Sequence, residues 1–346
     1  MRSVQDIGVR KSIWTSEVAR LTTALKARHR LITAGALVVA VCLALWPGDG
    51  RGAGWQYQVR ELKPGVFAWI PDDIIEADGD PQYERAGNAG FVITPEGAVV
   101  INATNSPFHA REVLYEIRHR TQAPIRYLID TGSASDETLG NQVFGDLQAS
   151  ILATPRIQAQ IRDRGQALLR QERGSEEFQR RLRGVHITPP NQTFDSTDTL
   201  TLGGQSVRVL AFAGLDAVAV QLPAVRVVFL GDLFNNRYFP KLDSRDVQRW
   251  IEALREAEAL DADVYVPGHG DPGGKEQVRE FREFLEWLTR EIQTRQTAGK
   301  TLEQTKAELI PLQSYAWHGG ELQAALVEDV YQQLAGRGPT PSGPPR

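Results

Sequence analysis

The 346-residue chain has very little sulfur: one cysteine, Cys42, and one methionine at its start. Because Cys42 lies in an apolar run near the N-terminus, the rest of the chain has no internal disulfide and no thiolate metal ligand or nucleophile. Basic residues are concentrated at the start. The first 30 residues hold seven Lys or Arg and two Asp or Glu, and the remainder holds 32 basic and 41 acidic residues, a net charge of −9. This charge argues against nucleic-acid binding by the body of the protein.

The remaining composition is that of an ordinary globular protein. Hydrophobic residues make up 41% of the chain and charged residues 24%, which excludes disordered, collagen-like and disulfide-scaffold classes. The length suits one large α/β domain or two average domains, and it is sufficient for a buried core. Strand-like and helix-like segments alternate along the chain, a pattern that predicts a layered α/β fold.

An uncharged run of sixteen residues, 31–46, follows the basic N-terminus. As a helix it would span roughly 24 Å, short for a ~30 Å hydrocarbon core but tolerable with flanking residues that reach the interface. Three interpretations stay open: an uncleaved membrane anchor, a signal peptide cleaved near 52–54, and a buried core helix. The preceding basic residues favour a cytoplasmic N-terminus. We therefore expect the body to be anchored at the inner membrane on its periplasmic side, or secreted into the periplasm.

Three apolar strands are predicted to end in polar clusters, where α/β folds place their functional sites. The clusters are 130–137, 231–232 and 267–270. They belong to the ordered motifs YLIDT, TLGN, FLGDLFNNRYFP and VPGHG, which begin at Tyr127, Thr138, Phe229 and Val266.

With these motifs, residues 58–335 resemble the metallo-β-lactamase superfamily. The resemblance implies an αββα sandwich and, at the strand ends, a site for two metal ions, usually zinc. Together with the composition of the two ends, it predicts four segments: a basic and apolar N-terminus (1–54), a metallo-β-lactamase-like domain (55–300), a C-terminal helical extension (301–335) and a Pro/Gly-rich disordered tail (336–346).

The resemblance also implies where metal ligands should lie, and three of those positions lack a donor. The family motif H-x-H-x-D-H places its first two histidines at Gly132 and Ala134, and a further histidine at Leu215. These three side chains cannot bind a cation. We therefore do not expect a two-zinc site.

The other ligand positions implied by the resemblance keep donor groups: Asp136, Glu137, Asp232 and His269. Three carboxylates and one imidazole form a hard, anionic set that suits a single divalent cation such as manganese or iron, with zinc as a further candidate. Structural roles are the alternative: Asp136 as the N-cap of a helix near Thr138, and Glu137 as an acidic first-turn residue. The chain then holds either one metal ion or none.

The segment after Asp232 resembles the loop beside the family's metal pocket, so it is a candidate ligand contact: Asn235, Asn236, Arg237 and Tyr238. The other histidines, among them His109 and His318, are predicted to be packing or surface residues.

Three functions remain open from the sequence. The first is an exported, non-catalytic or altered relative of metal-dependent hydrolases that binds a small molecule or a protein. The second is a mononuclear hydrolase of an amide, ester or thioester that uses Asp136 and Asp232. The third is a membrane-anchored scaffold whose charged helix at 155–183 or C-terminal helices hold a partner.

Overall fold

The computed structural model describes the chain over residues 57–72, 86–172, 184–243, 245–312 and 316–336. The segment 31–46 and residues 337–346 of the tail lie outside the described residues, so the predictions of an anchor and of a disordered tail stay predictions. The chain divides into two units, Met1–Ala53 and Gly54–Arg346, and all described residues belong to the second. Among them, no helix has the length and apolar character needed to cross a membrane.

Seven strands form the first sheet, and they lie side by side in chain order. They are β1 (Tyr57–Lys63), β2 (Val66–Pro71), β3 (Ala89–Thr94), β4 (Gly97–Ile101), β5 (Ile125–Ile129), β6 (Ser150–Ala153) and β7 (Gln192–Thr193). Strands β1 to β4 pair antiparallel, and β4 to β7 pair parallel. The near-continuous burial of β4 is typical of a strand covered on both faces.

Five strands form the second sheet: β8 (Thr197–Leu202), β9 (Gln205–Ala211), β10 (Val218–Leu222), β11 (Val227–Asn235) and β12 (Val264–His269). Their spatial order is β12-β11-β10-β9-β8. Only β11 and β12 pair parallel, so both strands end at the same edge of the sheet. There Asn235 is the register partner of His269.

Eight α-helices flank the sheets in the described part of the chain: α1 (Pro107–Arg120), α2 (Ser135–Thr138), α3 (Asn141–Gly145), α4 (Pro155–Glu172), α5 (Val247–Glu258), α6 (Lys275–Thr297), α7 (Leu302–Leu309) and α8 (Gln323–Leu334). Capping fixes several of their starts. Asp246 accepts hydrogen bonds from the Gln248 and Arg249 amides and thereby begins α5.

Apolar residues of the two sheets form the central core, with Ile101 and Ile129 from the first sheet and Val209, Val220 and Phe229 from the second. The outer face of the first sheet packs on α1 and α3 through residues that include Val113 and Phe144. That of the second sheet packs on α5, α6 and α8. Burial of apolar area on both faces of each sheet is the main stabilising contribution to this arrangement. The predicted αββα sandwich is confirmed.

The two sheets also contact each other at their polar strand ends. The amide of Val218, which begins β10, donates to the carbonyl of Thr131, just beyond β5, at 2.8 Å. The amide of Asn88, just before β3, donates to the carbonyl of Gly268 in β12 at 2.7 Å. These bonds bring the ends of β5, β11 and β12 together at one edge of the sandwich.

Candidate metal centre and ligand cavity

Three of the predicted ligands meet at this edge. Asp136 lies in the first turn of α2, Asp232 lies within β11, and His269 is the last residue of β12. His269 Nε2 is 2.9 Å from Asp136 Oδ2 and 3.6 Å from Asp232 Oδ1. One ligand atom from each residue lies within 4.8 Å of the others. The structure therefore brings two carboxylates and one imidazole together from three separate elements.

The electrostatics of this cluster suit a cation. Burial lowers the pKa of His269, but the hydrogen bond to Asp136 and the charge of Asp232 outweigh that effect and raise the pKa above its ordinary value. The Asp232 Oδ1 atom is buried and accepts no hydrogen bond from the described residues. A carboxylate oxygen in that position is costly unless a positive charge faces it. Asp136, Asp232 and His269 consequently fit one divalent cation.

The capping interpretation of Asp136 is wrong. The short helix α2 begins at Ser135, its N-cap is Ala134, and no side chain caps it. Asp136 instead directs Oδ2 to His269. Its neighbour Glu137 does lie in the first helical turn, as expected.

Glu137 lies apart from the three-residue cluster. Its carboxylate is fully buried and Oε1 accepts from Asn102 Nδ2 at 2.8 Å and from Thr131 Oγ1 at 3.3 Å. Burial first, and then the charges of Asp232 and Asp136, raise the pKa of Glu137 well above its usual range. The bonds that hold this carboxylate are directed to the ends of β4 and β5, and its role as a metal ligand stays a prediction.

The resemblance places three histidines of the first metal site at positions 132, 134 and 215, and none of these positions has a metal-binding side chain. Ala134 and Leu215 line a cavity of about 150 Å³, which also contains Asp216 and Arg245. At Gly132, a Cβ atom would lie 2.8 Å from Glu137 Oε2. No side chain at 132, 134 or 215 carries a donor atom, so the residues at these positions do not fit a first cation.

A larger cavity of about 640 Å³ opens beside the three-residue cluster, and His269 forms part of its wall. Three of the four predicted pocket residues line it: Asn236, Arg237 and Tyr238. The fourth, Asn235, is 4% exposed and lies behind the wall, in β11.

The other walls of this cavity come from distant parts of the sequence. They include Trp69, Asn88, His109, Glu112 and His318. Asn88 Nδ2 donates to the carbonyls of Pro267 at 3.0 Å and Gly270 at 2.8 Å, which fixes the loop around His269. Burial and the nearby Glu116 raise the pKa of Glu112 to about 7.

The C-terminal extension reaches the same cavity. The Tyr238 ring stacks on His318, with centroids 5.0 Å apart, and is tilted against His269 at 5.8 Å. The backbone reinforces this contact, because the His318 amide donates to the Arg237 carbonyl at 2.9 Å. His318 was predicted to be a packing residue, and it is also a wall of the cavity.

Comparison with known proteins agrees with this arrangement. The family model described as "Metallo-beta-lactamase superfamily" matches residues 83–269, more than half of the chain. The chain belongs to the metallo-beta-lactamase superfamily. Among solved structures, the metallo-beta-lactamases of Pontibacter korlensis and Hirschia baltica superpose with TM-scores of 0.53 and 0.51, at 19% and 17% identity. The first match covers 67% of this chain and 99% of the relative, the second 66% and 97%. At this identity the superpositions show the shared fold.

A curated relative is the linear primary-alkylsulfatase of Pseudomonas sp. (strain ATCC 19151). It is 26% identical over a 226-residue alignment that covers 55% of this chain. The match spans 43% of the relative, so this chain corresponds to less than half of the length of the sulfatase.

Proposed function

We propose that this member of the superfamily binds one divalent cation between Asp136, Asp232 and His269 and does not carry out two-metal hydrolysis. In this proposal it serves as a binding protein whose small-molecule ligand enters the adjacent cavity. One observation carries the proposal: three donors converge within 4.8 Å, while the positions for three first-site ligands hold Gly132, Ala134 and Leu215.

Two-metal hydrolysis requires both cations, because together they lower the pKa of a shared water and polarise the scissile bond. With three neutral ligands missing, the first cation would keep only the bridging carboxylate of Asp232. Typical catalytic zinc sites use three protein ligands and an open position. The second metal site retains three metal-binding residues, whereas the first retains only Asp232.

The residues of the proposed site have distinct roles. Asp136 and Asp232 would supply the two anionic oxygens that neutralise a divalent ion. His269 would supply the imidazole and, as a wall of the cavity, bring the cation next to a bound ligand. A cation bound there would act as a Lewis acid toward an oxygen of that ligand. The Asn88 amide keeps the His269 loop in place through two backbone carbonyls.

A mononuclear hydrolase is the second candidate, favoured by the contact of His269 with the large cavity. Amides, esters and thioesters are the substrate classes implied by the superfamily. The alkylsulfatase similarity adds sulfate esters as a class worth assaying. In this alternative Asp136 and Asp232 would hold the cation and orient the water that attacks the substrate.

We also propose an export role for residues 31–46, either as an uncleaved anchor or as a signal segment. The supporting observation is the sixteen-residue uncharged run behind seven basic residues. In this proposal the cavity and the cation site face the periplasm.

Metal content tests the proposed function. The protein is dialysed against Zn²⁺, Mn²⁺ or Fe²⁺ under reducing conditions, and bound metal is measured by elemental analysis. We expect one equivalent per chain, and its loss in Asp232→Asn and His269→Ala. Asp271→Asn is the matched control, because Asp271 lies on the cavity wall with its carboxylate paired to Arg60 at 2.8 Å. No bound metal, or two equivalents, would each overturn the proposal.

Activity assays on the metal-loaded protein then separate the two candidates. The substrates are a linear alkyl sulfate, an ester and a thioester. Turnover that disappears in Asp232→Asn but persists in Asp271→Asn would favour the mononuclear hydrolase over the binding protein.

A further inference from the structure

A buried arginine lies beside the Asp232 carboxylate of the three-residue cluster. The Arg245 side chain is 7% exposed, and its Nη2 atom lies 3.7 Å from Asp232 Oδ2. The other oxygen of the same carboxylate, Oδ1, lies 3.6 Å from His269 Nε2. The Asp232 carboxylate thus lies between an imidazole and a guanidinium. In the superfamily resemblance this carboxylate is the one that bridges two cations.

Arg245 also lies beside two of the positions at which the first metal site lacks its histidine ligands. The guanidinium lines the small cavity of about 150 Å³ together with Ala134 and Leu215. Both positions are expected to carry histidines in a two-metal site. Arg245 therefore brings a permanent positive charge to the part of the site that has lost its neutral ligands.

The acidic residues around this guanidinium explain why a positive charge is needed. Glu137 and Asp216 are buried, and Asp216 lines the same small cavity as Arg245. Asp232 and Asp243 interact electrostatically with the same guanidinium. A buried carboxylate is tolerated only when it is paired or coordinated, and the Arg245 guanidinium is the positive charge that acts on this group of acids.

Few direct hydrogen bonds hold Arg245 in place. Its Nη1 donates to the carbonyl of Lys241 at 3.3 Å, and the guanidinium lies 5.1 Å from the centroid of the Trp250 ring. Its Nε atom is buried and has no hydrogen-bond partner among the described residues. The contacts of the guanidinium are mostly with charges and with an aromatic face, as expected of a residue whose main contribution is its charge.

We propose that the Arg245 guanidinium is the resident cation of the first metal site. It neutralises Asp232 and the buried acids beside the small cavity, and its charge opposes the binding of a second divalent ion there. The inference rests on the proposed single-cation site. Arg245 acts as a positioning residue, because it fixes the charge and orientation of Asp232 and does not itself touch a ligand in the large cavity.

Arg245→Met and Arg245→Lys test this inference, because Met keeps the apolar stem without a charge and Lys keeps the charge. Removal of one partner of a buried charge pair is strongly destabilising, so we expect Arg245→Met to lower the Tm by about 5–10 °C. Arg245→Lys should lower the Tm by less than half of that amount. Added Mn²⁺ or Zn²⁺ should raise the Tm of the Met variant more than that of the wild type, because Asp232 then has no guanidinium beside it.

Asp216→Asn provides the second test, because it removes one of the buried acids without altering a proposed metal ligand. If Arg245 acts through charge, Asp216→Asn should recover part of the Tm lost in Arg245→Met. If Arg245 instead acts by packing on Trp250, Arg245→Met should lower the Tm equally in the wild type and in Asp216→Asn. If the Met variant alone does not fold, the double variant decides: a folded double variant supports the proposal, and an unfolded one overturns it.

The outcomes also separate this inference from the single-cation proposal. Two metal equivalents in the wild type would overturn the single-cation site. One equivalent in the wild type, with equal Tm in the Met and Lys variants, would overturn the role of Arg245 alone.

Discussion

Glu137 Oε2 occupies the space into which a side chain on Gly132 would extend. A Cβ atom at position 132 would lie 2.8 Å from this oxygen, closer than real Cβ contacts allow. The oxygen belongs to a fully buried carboxylate whose other oxygen is fixed by Asn102 and Thr131. The glycine at 132 and the glutamate at 137 are therefore coupled, although the superfamily resemblance places a histidine at both positions.

This coupling predicts non-additive stability. Gly132→Ala should lower the free energy of unfolding by about 1–3 kcal/mol, because overpacking at a rigid site costs that much. The same change in a Glu137→Ala background should cost much less, because the blocking oxygen is gone. Chemical denaturation of the two single variants and the double variant measures the coupling.

The matched control is Gly320→Ala, because a Cβ there meets nothing closer than 3.6 Å. It should leave the free energy of unfolding nearly unchanged. Equal costs for Gly132→Ala in both backgrounds would show that the Glu137 side chain does not fill the space at position 132.

Asp130 predicts a pH dependence of stability. It is fully buried before the ligand loop, its Oδ2 accepts from Asn141 at 2.8 Å, and burial raises its pKa to about 8. In the unfolded chain this carboxyl titrates near 3.9. Between these values the folded state keeps a proton that the unfolded state has lost. The contribution of Asp130 to stability is thus fully present below about pH 4 and is lost as the pH rises toward 8.

The measurement compares Asp130→Asn with the wild type by denaturant titration at intervals from pH 5 to 9. The difference in free energy of unfolding, variant minus wild type, should rise with pH and level off above about pH 8. A difference that stays constant over this range would show that Asp130 has the same protonation in the folded and unfolded chains.

The apolar strands and their order were predictable because each buried run is continuous. Sequence segments 90–94, 98–103 and 124–131 coincide within two residues with β3, β4 and β5. The weak strand β8, Thr197–Leu202, has no such continuous run, because threonine and aspartate interrupt its apolar pattern. The helix predicted from Thr138 starts earlier and is split into α2 and α3. At the break, a Cβ on Gly140 would overlap the carbonyl oxygen of Ala103, a constraint set by packing and invisible in local sequence.

Some residues of the candidate site could likewise be predicted from the sequence, and others could not. Asp136, Asp232 and His269 were named by the superfamily resemblance, and in the fold Asp136 follows β5, Asp232 lies within β11 and His269 ends β12. Arg245 lies in a loop segment without a motif, so its approach to Asp232 depends on how α5 packs. His318 lines the cavity through its ring contact with Tyr238 and its backbone bond to Arg237. No local signal marks either residue.

The proposed export of the body leads to a reporter experiment. Seven basic residues precede the apolar run 31–46, and positive flanks remain in the cytoplasm. An enzyme reporter that matures only in the periplasm, fused after Arg346, should therefore be active. Deletion of residues 31–46 should abolish that activity, and replacement by an unrelated apolar run of equal length is the control that restores it. If a cytoplasmic reporter at the same junction is active instead, the apolar run does not direct export.

The last prediction concerns recovery of a second metal ion. The four changes Gly132→His, Ala134→His, Glu137→His and Leu215→His, made together, restore three imidazoles to the first site. They also remove the Glu137 carboxylate that excludes a side chain at 132. Three imidazoles with one open position are the ligand set of catalytic zinc. The strand ends that carry these positions are held by the Val218 and Asn88 backbone bonds, so the ligands should approach workable positions.

Arg245 should limit this recovery, because its guanidinium repels a cation at the restored site. We expect zinc content after dialysis to rise from one equivalent toward two in the fourfold variant, and the second ion to bind more tightly when Arg245→Met is added. Catalytic activity should recover less than metal content does. Groups that orient ligating histidines typically contribute about 10–100-fold to affinity or activity, and the substitutions do not restore such groups. Elemental analysis and zinc titration check both steps. If the fivefold variant still holds a single zinc ion, the missing ligands and Arg245 do not account for the loss of the first site.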